Sequence, residues 1–438
     1  MLWRIGTPSL WRDEAATADN AQTGWRTILE VSNDIDAVHA PYYLLESVWT
    51  SVAGCSEVSL RLPSAVAIAV AAVALMAIAR TYTTQSNAVL CAFIFALMPA
   101  ATRYGQEARE GALVIMLAVV STLTLHIAAQ RNSRWPWIVY AIVVACIPLF
   151  NLLGLYLLVA HLLYGLYVKR GKSLALAAVP AVLVAGAVAA ISYAQRSTML
   201  DVYLPRPTPR ELIAYTDALL TNRTIALIFV GASAWFILAT LRRRQITEYS
   251  WILAIAIFPA PLWLISQVQN VFLFRYGLFA VPFFALIVVL AFRKWYINAV
   301  FAVLLAVLSA PIVLDYRNAD GHGEDFRAVF ERIEAEARPG DAIVLDHWLG
   351  RSAMHYYLSD RDVADPLNPH GDNSFTTLER GGLECTQEAL APYQRVWLVW
   401  FERASKKEPT DWPDDCDEGL REVSVDARGV LTTKLFAR

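Results

Sequence analysis

WPWIVYAIVVACIPLFNLLGLYLLVAHLLYGLYV, residues 135–168, runs for 34 residues without an Asp, Glu, Lys or Arg. A helix crosses the hydrocarbon core of a bilayer with about 20 apolar residues, so this stretch is too long for one span. Asn151 and Gly154 lie near its middle, where a turn divides it into two. On either side, charge-free runs of spanning length follow one another at 62–79, 111–130, 173–195, 224–241, 249–274, 276–292 and 295–314, with a shorter one at 86–102. The sequence therefore predicts an all-α polytopic membrane domain of about ten spans. Composition agrees: 57% of the 438 residues are hydrophobic and 17% charged, against about 45–50% and 25% in soluble domains.

The net charge of −2 hides a split. Residues 1–319 carry 23 bases and 15 acids, and residues 320–438 carry 14 bases and 24 acids. Loops between spans alternate. One set holds Arg80, then Arg131 and Arg134, then Lys169, Arg170 and Lys172, then Arg242, Arg243 and Arg244, then Arg293 and Lys294. Short basic loops stay cytoplasmic, which turns the other set outward: residues 1–57, 103–110, 195–223, the turns near Asn151 and before Arg275, and everything after Asp315. An outward amino terminus calls for a span before it, so the sequence reads as lacking a first transmembrane helix, with Leu2-Trp3 as a remnant of its outer end. The bases come in twos and threes between apolar runs, a pattern unsuited to a nucleic-acid partner.

Beyond Asp320 the pattern changes. Residues 326–337 read as a helix ended by Pro339-Gly340, and 342–345, 396–400 and 430–436 as short strands. The expected division is a membrane catalytic domain over residues 1–319, with 1–57 as its first outer loop, and a small α/β extracytoplasmic domain over 320–438. Cys385 and Cys416 fall in this outward part, where a disulfide between them is permitted. Cys91 and Cys146 lie in spans and Cys55 near a membrane edge.

Membrane proteins gather unusual polar residues where function is, which directs attention to the outward loops. Asp13 and Glu14 are adjacent carboxylates at a helix start, a position that by itself serves the helix dipole. Asp36 and His39 precede Pro41, Tyr42 and Tyr43 at the head of a short amphipathic helix over 41–53. That helix also carries Glu46 and is expected on the outer surface, with its tyrosines and Trp49 at the interface. Together these groups can supply a general base and ligands for a divalent cation, Mg or Mn, with Glu14, Asp36 and His39 as the candidates. Arg103, Tyr104, Gln106, Glu107 and Arg109 form a third cluster, and Arg275-Tyr276 stands alone in an apolar stretch. Arginines at span ends either snorkel or pair with an anion such as phosphate.

Trp11-Arg12-Asp13-Glu14-Ala15, His39-Ala40-Pro41-Tyr42-Tyr43, Arg61-Leu62-Pro63-Ser64 and Arg103-Tyr104-Gly105-Gln106-Glu107-Ala108-Arg109 resemble, in this order, motifs of the C-type glycosyltransferases (GT-C fold). The group they resemble is the protein O-mannosyltransferase-like superfamily, which includes the lipid A aminoarabinose transferase. Asp36-Ala37-Val38-His39 with Tyr42-Tyr43-Leu44-Leu45 is similar to mycobacterial and corynebacterial mannosyltransferases that use polyprenyl phosphate mannose. The chain's 31 Arg against 6 Lys suit a GC-rich actinobacterial genome. The resemblance covers about residues 7–320. It implies a multi-pass inner-membrane glycosyltransferase of cell-wall glycans with an extracytoplasmic site. The donor is a polyprenyl phosphate sugar, mannose first and arabinofuranose second, and the acceptor a hydroxyl on a lipid, glycan or protein. Asp13 would be the general base and Glu14 its catalytic neighbour. His39, Tyr42, Tyr43, Tyr104, Gln106, Glu107 and Tyr276 would line the substrates, and Arg103, Arg109 and Arg275 would face the leaving phosphate. The aminoarabinose branch has a glutamate before the proline of the matching segment, where this chain has His39-Ala40-Pro41, which weakens a metal site there. A lipid or small-molecule transporter is the rival from another class. Transporters place ionisable groups near the bilayer midplane, whereas here the polar clusters gather on one side. An inactive scaffold is a third reading, against which the intact Asp13-Glu14 pair speaks.

Overall fold

The computed structural model describes residues 2–195, 206–269, 271–345, 350–358, 364–368, 387–401 and 419–438. Cys385 and Cys416, and with them the expected disulfide, lie outside the described residues. Three helices come first: α1 (Arg12–Thr23), α2 (Trp25–Asp34) and α3 (Ala40–Ala53). Gly24, at φ +87°, makes the turn from α1 to α2, a backbone setting suited to glycine. Pro41 occupies the first turn of α3, where its missing N–H costs nothing.

The apolar helices are α4 (Glu57–Arg80), α5 (Gln85–Leu97), α6 (Pro99–Gly105), α7 (Gly111–Gln130), α8 (Trp135–Phe150), α9 (Leu157–Tyr167), α10 (Gly171–Ala194), α12 (Arg223–Arg242), α13 (Ile246–Ala256), α14 (Pro259–Ile265), α15 (Val281–Ala291) and α16 (Trp295–Asp315). The polar helix α11 (Pro209–Leu219) lies between α10 and α12 and opens with a Thr208/Glu211 capping box. Among the described residues, six helical segments are each long and apolar enough to cross a membrane, and the pairs α5–α6 and α13–α14 bring the number to eight. The ten spans expected from sequence become six to eight because α8 and the segment Leu152–Tyr167 are shorter than a full crossing. They do turn at Asn151, whose side chain accepts the Gly154 N–H at 3.0 Å. Prolines break the two bent pairs: Pro99 at a 64° bend and Pro259 at a 51° bend. The protein is thus a multi-pass membrane protein.

The compact units cut the chain differently from a division at residue 319. Leu62–Val313 forms one, and Leu2–Arg61 with Leu314–Arg438 forms the other. In the first, α15 is buried along its whole length and packs on α5 and α12, while α8 packs on α7 and α10. In the second, α17 (Phe326–Glu336) and α18 (Gly350–Tyr357) accompany a sheet of β1 (Ala342–Leu345), β2 (Arg395–Phe401), β3 (Arg421–Arg428) and β4 (Leu431–Ala437) in the order β1-β2-β4-β3. β1 and β2 are parallel and the other pairs antiparallel. The sequence reading missed β3, an edge strand whose side chains are mostly exposed and mixed in charge. α1 packs on both α3 and α18. This packing overturns one expectation: Tyr42, Tyr43, Glu46 and Thr50 form the buried face of α3, so the two tyrosines do not sit at a membrane interface. The i, i+4 spacing of 42, 46 and 50 puts them on one stripe, and α1 and α2 both pack on α3.

Candidate active site

Trp11 precedes α1 with extended backbone and no capping side chain. The first-turn donor is satisfied from far along the chain instead. The Arg12 N–H donates to Glu324 Oε2 at 2.7 Å, and Arg12 Nε donates to Glu324 Oε1 at 2.7 Å. Two residues on, Glu14 is wholly buried against Arg61, also wholly buried. Arg61 uses all five of its donors: Nε and Nη2 on the two Glu14 oxygens at 2.7 and 2.5 Å, Nη1 on the carbonyls of Ile5 and Pro8, and Nη2 on that of Ser9. His322 Nδ1 approaches Glu14 Oε2 at 3.4 Å. Burial by itself would raise the Glu14 carboxyl, but the charge and hydrogen bonds of Arg61, with His322 adding, hold it at about 2.

Asp13 differs from its neighbour although both lie in the first turn. Consecutive helical residues point about 100° apart, so with Glu14 inward Asp13 is only partly buried. Its carbonyl accepts the Thr17 hydroxyl at 3.0 Å. Of the adjacent pair, Asp13 keeps part of its surface exposed, and Glu14 ties the helix to Arg61.

On α3 and the turn before it, Asp36, at φ +59°, accepts the Tyr43 hydroxyl at 2.8 Å and lies 3.8 Å from His39 Nε2. Asp36, His39 and Tyr43 therefore form one cluster. Glu46 is fully buried. Burial pushes this carboxyl up to about 8, the Tyr42 hydroxyl offsets part of the rise, and the negative charge of Glu14 adds to it.

In the other unit, Arg103 ends α6 with its guanidinium 5.8 Å from the centre of the Tyr104 ring. Arg109 is buried and lies 3.4 Å from Glu110. Gln106 and Glu107 are buried beside them in sequence. Gly111 lets Tyr104 approach, since a Cβ there would fall 2.9 Å from the Tyr104 ring. Arg275 is exposed at the start of the turn before α15, and the carbonyl of Tyr276 accepts from Asn151.

The sequence names Arg61 only within the Arg61-Leu62-Pro63-Ser64 motif and Glu46 only as part of the 41–53 helix, and assigns neither a role. His322 leaves no local pattern. Nor were His126 and His161 noticed inside spans counted as free of charge. His126 Nδ1 lies 2.8 Å from the Thr122 carbonyl and Nε2 2.7 Å from the Tyr82 hydroxyl. His161 lies between the Tyr140 hydroxyl, 3.0 Å from Nδ1, and the Thr122 hydroxyl, 3.1 Å from Nε2. Thr122 itself donates to the Ala118 carbonyl. Each imidazole then gives one proton and receives one, so the chain of contacts closes without a spare group.

Among the described residues, no three His, Cys, Asp or Glu side chains are gathered closely enough to hold a metal ion. Of the candidate ligands, Glu14 has both oxygens on Arg61 and Asp36 accepts from Tyr43.

A family model described as dolichyl-phosphate-mannose-protein mannosyltransferase matches residues 39–194. Among solved structures, the chain is similar to ArnT from Cupriavidus metallidurans in the apo state, with a TM-score of 0.59 and 13% identity over 99% of this chain and 95% of that one. It is also similar to ArnT from the same organism bound to undecaprenyl phosphate, with a TM-score of 0.58 and 11% identity over 99% and 96%. No curated protein matches the sequence. The architecture is that of a GT-C fold, with a small sheet near the carboxyl end.

Proposed function

We propose that the protein is a membrane glycosyltransferase that moves a sugar from a polyprenyl phosphate donor to an acceptor hydroxyl with inversion. The observation that carries this reading is the placement of Asp13: partly accessible in the first turn of α1, on a fold shared with a protein seen bound to undecaprenyl phosphate. The family match at residues 39–194 favours mannose as the transferred sugar, with a pentose as the next to test.

In the proposed reaction the acceptor oxygen attacks the anomeric carbon while Asp13 takes its proton. The bond from that carbon to the phosphate oxygen breaks, and polyprenyl phosphate leaves with the electron pair. A hydroxyl has a pKa far above neutral, so a positioned base is needed. Negative charge grows on the leaving phosphate, for which Arg103, Arg109 and Arg275 are the candidate partners. His39, Tyr104, Gln106, Glu107 and Tyr276 are assigned to substrate contact, while Tyr42 and Tyr43, buried on α3, are assigned to holding that helix behind His39. Glu14 acts through its ion pair with Arg61, and no step is routed through a divalent cation, because Glu14, Asp36 and His39 are not gathered into one ligand set. The active site and the sheet-bearing part are placed on the outer face of the inner membrane, following the basic loops on the other side.

Glycolipid and glycan profiling of a deletion strain identifies sugar and acceptor together through the product that disappears. Complementation with Asp13→Asn, which keeps size and hydrogen bonding but cannot take the proton, should slow transfer by about 10²–10⁴-fold. Full restoration of the product at the wild-type rate by this variant would remove Asp13 from the base role.

A further inference from the structure

Asp13 is flanked by two residues that are both held, and both holders come from one short segment more than 300 positions away. Arg12 is gripped through its backbone N–H and its Nε by Glu324. Glu14 is approached by His322, whose side chain is 5% exposed. Just before α1, the Ser9 N–H donates to the Ala319 carbonyl at 2.8 Å. We propose that residues 319–324 form a clamp that sets the orientation of Asp13, with His322 as its positioning residue. This rests on the reading of Asp13 as the base.

The segment is built for the task. Gly321 and Gly323 flank His322. A Cβ on Gly321 would fall 2.5 Å from the carbonyl atoms of Tyr316, and Gly323 sits at φ +95°, so a side chain would clash at the first and be strained at the second. The Gly321 N–H donates to the Asn318 carbonyl and the Gly323 N–H to that of Asp320, folding the strip tightly around His322. Glu14, held ionised, can only accept, so His322 Nδ1 carries the proton between them. Its Nε2 is buried with no partner among the described residues, which leaves Glu14 as the polar group this ring serves there. Arg61 fixes both Glu14 oxygens but is one long side chain. His322 and Glu324 hold the helix start from a second segment of the chain, and rotation of α1 would have to break both.

The test uses the full-length chain and three readouts: turnover of polyprenyl phosphate mannose in membranes of the deletion strain, undecaprenyl phosphate binding, and hydrogen exchange of the α1 amides. His322→Leu should lower kcat by about 10- to 100-fold, the usual cost of a small misplacement, with donor KM and undecaprenyl phosphate binding unchanged and faster exchange at residues 12–17. His322→Asn places an amide N–H near the position of Nδ1 and should restore most of the rate. If His322→Leu does not fold, His322→Gln, whose amide sits further out, takes its place. Wild-type kcat in His322→Leu while Asp13→Asn is inactive overturns the clamp, and so does an Asn variant as defective as Leu with binding intact. If Asp13→Asn itself remains active, the base reading fails, and the exchange data alone decide whether the clamp exists.

Discussion

Inside the unit formed by residues 2–61 and 314–438, Glu14 and Arg61 bury a pair of full charges. Inside Leu62–Val313, the corresponding network joins His126 and His161 to Tyr82, Thr122, Tyr140 and two backbone carbonyls, with no Asp, Glu, Lys or Arg in it. Groups that both give and take a hydrogen bond can close a loop of contacts with no net charge to solvate, which suits helices of spanning length. A guanidinium and a carboxylate can be buried only as a matched set, and Arg61 meets that condition by using every donor it has. The difference teaches where the chain concentrates risk: removing one partner of the Glu14–Arg61 pair strands a charge, whereas in the spans it strands a dipole.

The largest effect should come from stranding the charge. Arg61→Met leaves the buried Glu14 without its guanidinium and should destabilise the protein by about 3–5 kcal/mol, while the double variant Arg61→Met/Glu14→Met should recover much of that loss. Unfolding midpoints of purified protein in detergent measure both, and a double variant as unstable as the single would break the comparison. A smaller change of opposite sign is expected at Glu46. Its folded carboxyl, near 8, lies above the ordinary value of 4.5, so the folded state holds a proton the unfolded chain has lost, and stability falls as pH rises through that window. Glu46→Gln removes this slope and should stabilise by on the order of 3 kcal/mol at pH 7, at about 1.36 kcal/mol per unit, and by nothing below about pH 4.5. Glu14 runs the other way: its contribution is present above 4.5 and lost as pH falls toward about 2. A stability profile from pH 4 to 9 that is unchanged in Glu46→Gln would show that this carboxyl does not titrate as described. The smallest effect belongs to the spans. Tyr140→Phe takes the donor from His161 and should cost about 0.6–1.7 kcal/mol, the range for hydrogen bonds between membrane helices. A loss as large as that of Arg61→Met would erase the distinction between the two regions.

The spans were legible in the sequence because a run of some 18 apolar residues has few other uses, and the prolines at 99 and 259 mark where two of them bend. β1, β2 and β4 were legible as short β-rich runs; β3 was missed although Val423, Val425 and Ala427 alternate with Glu422, Ser424 and Asp426, because its exposed edge buries neither face and its charges read as a solvated loop. In the site, the Asp13-Glu14 pair stood out as a motif, but its division of labour did not. That depends on which way α1 is rotated, and the rotation is fixed by Arg61, Glu324 and His322, none of them local. A carboxylate such as Glu46, surrounded in sequence by leucine, serine and valine, carries no sign of what will bury it.

The five bonds of Arg61 also make it a gauge of chain length. One side chain touches the carbonyls of Ile5, Pro8 and Ser9 and the carboxylate of Glu14, so the number of residues from 5 to 14 is set by a single rigid fork. Elsewhere a loop absorbs an insertion at small cost. Here one residue added between Ser9 and Asp13 would either pull the carbonyls off the guanidinium or turn α1 by about 100°, presenting a different side chain to Arg61. Among relatives that keep an arginine at this place, this ten-residue interval should resist gain or loss of even one residue, while substitutions within it pass more freely.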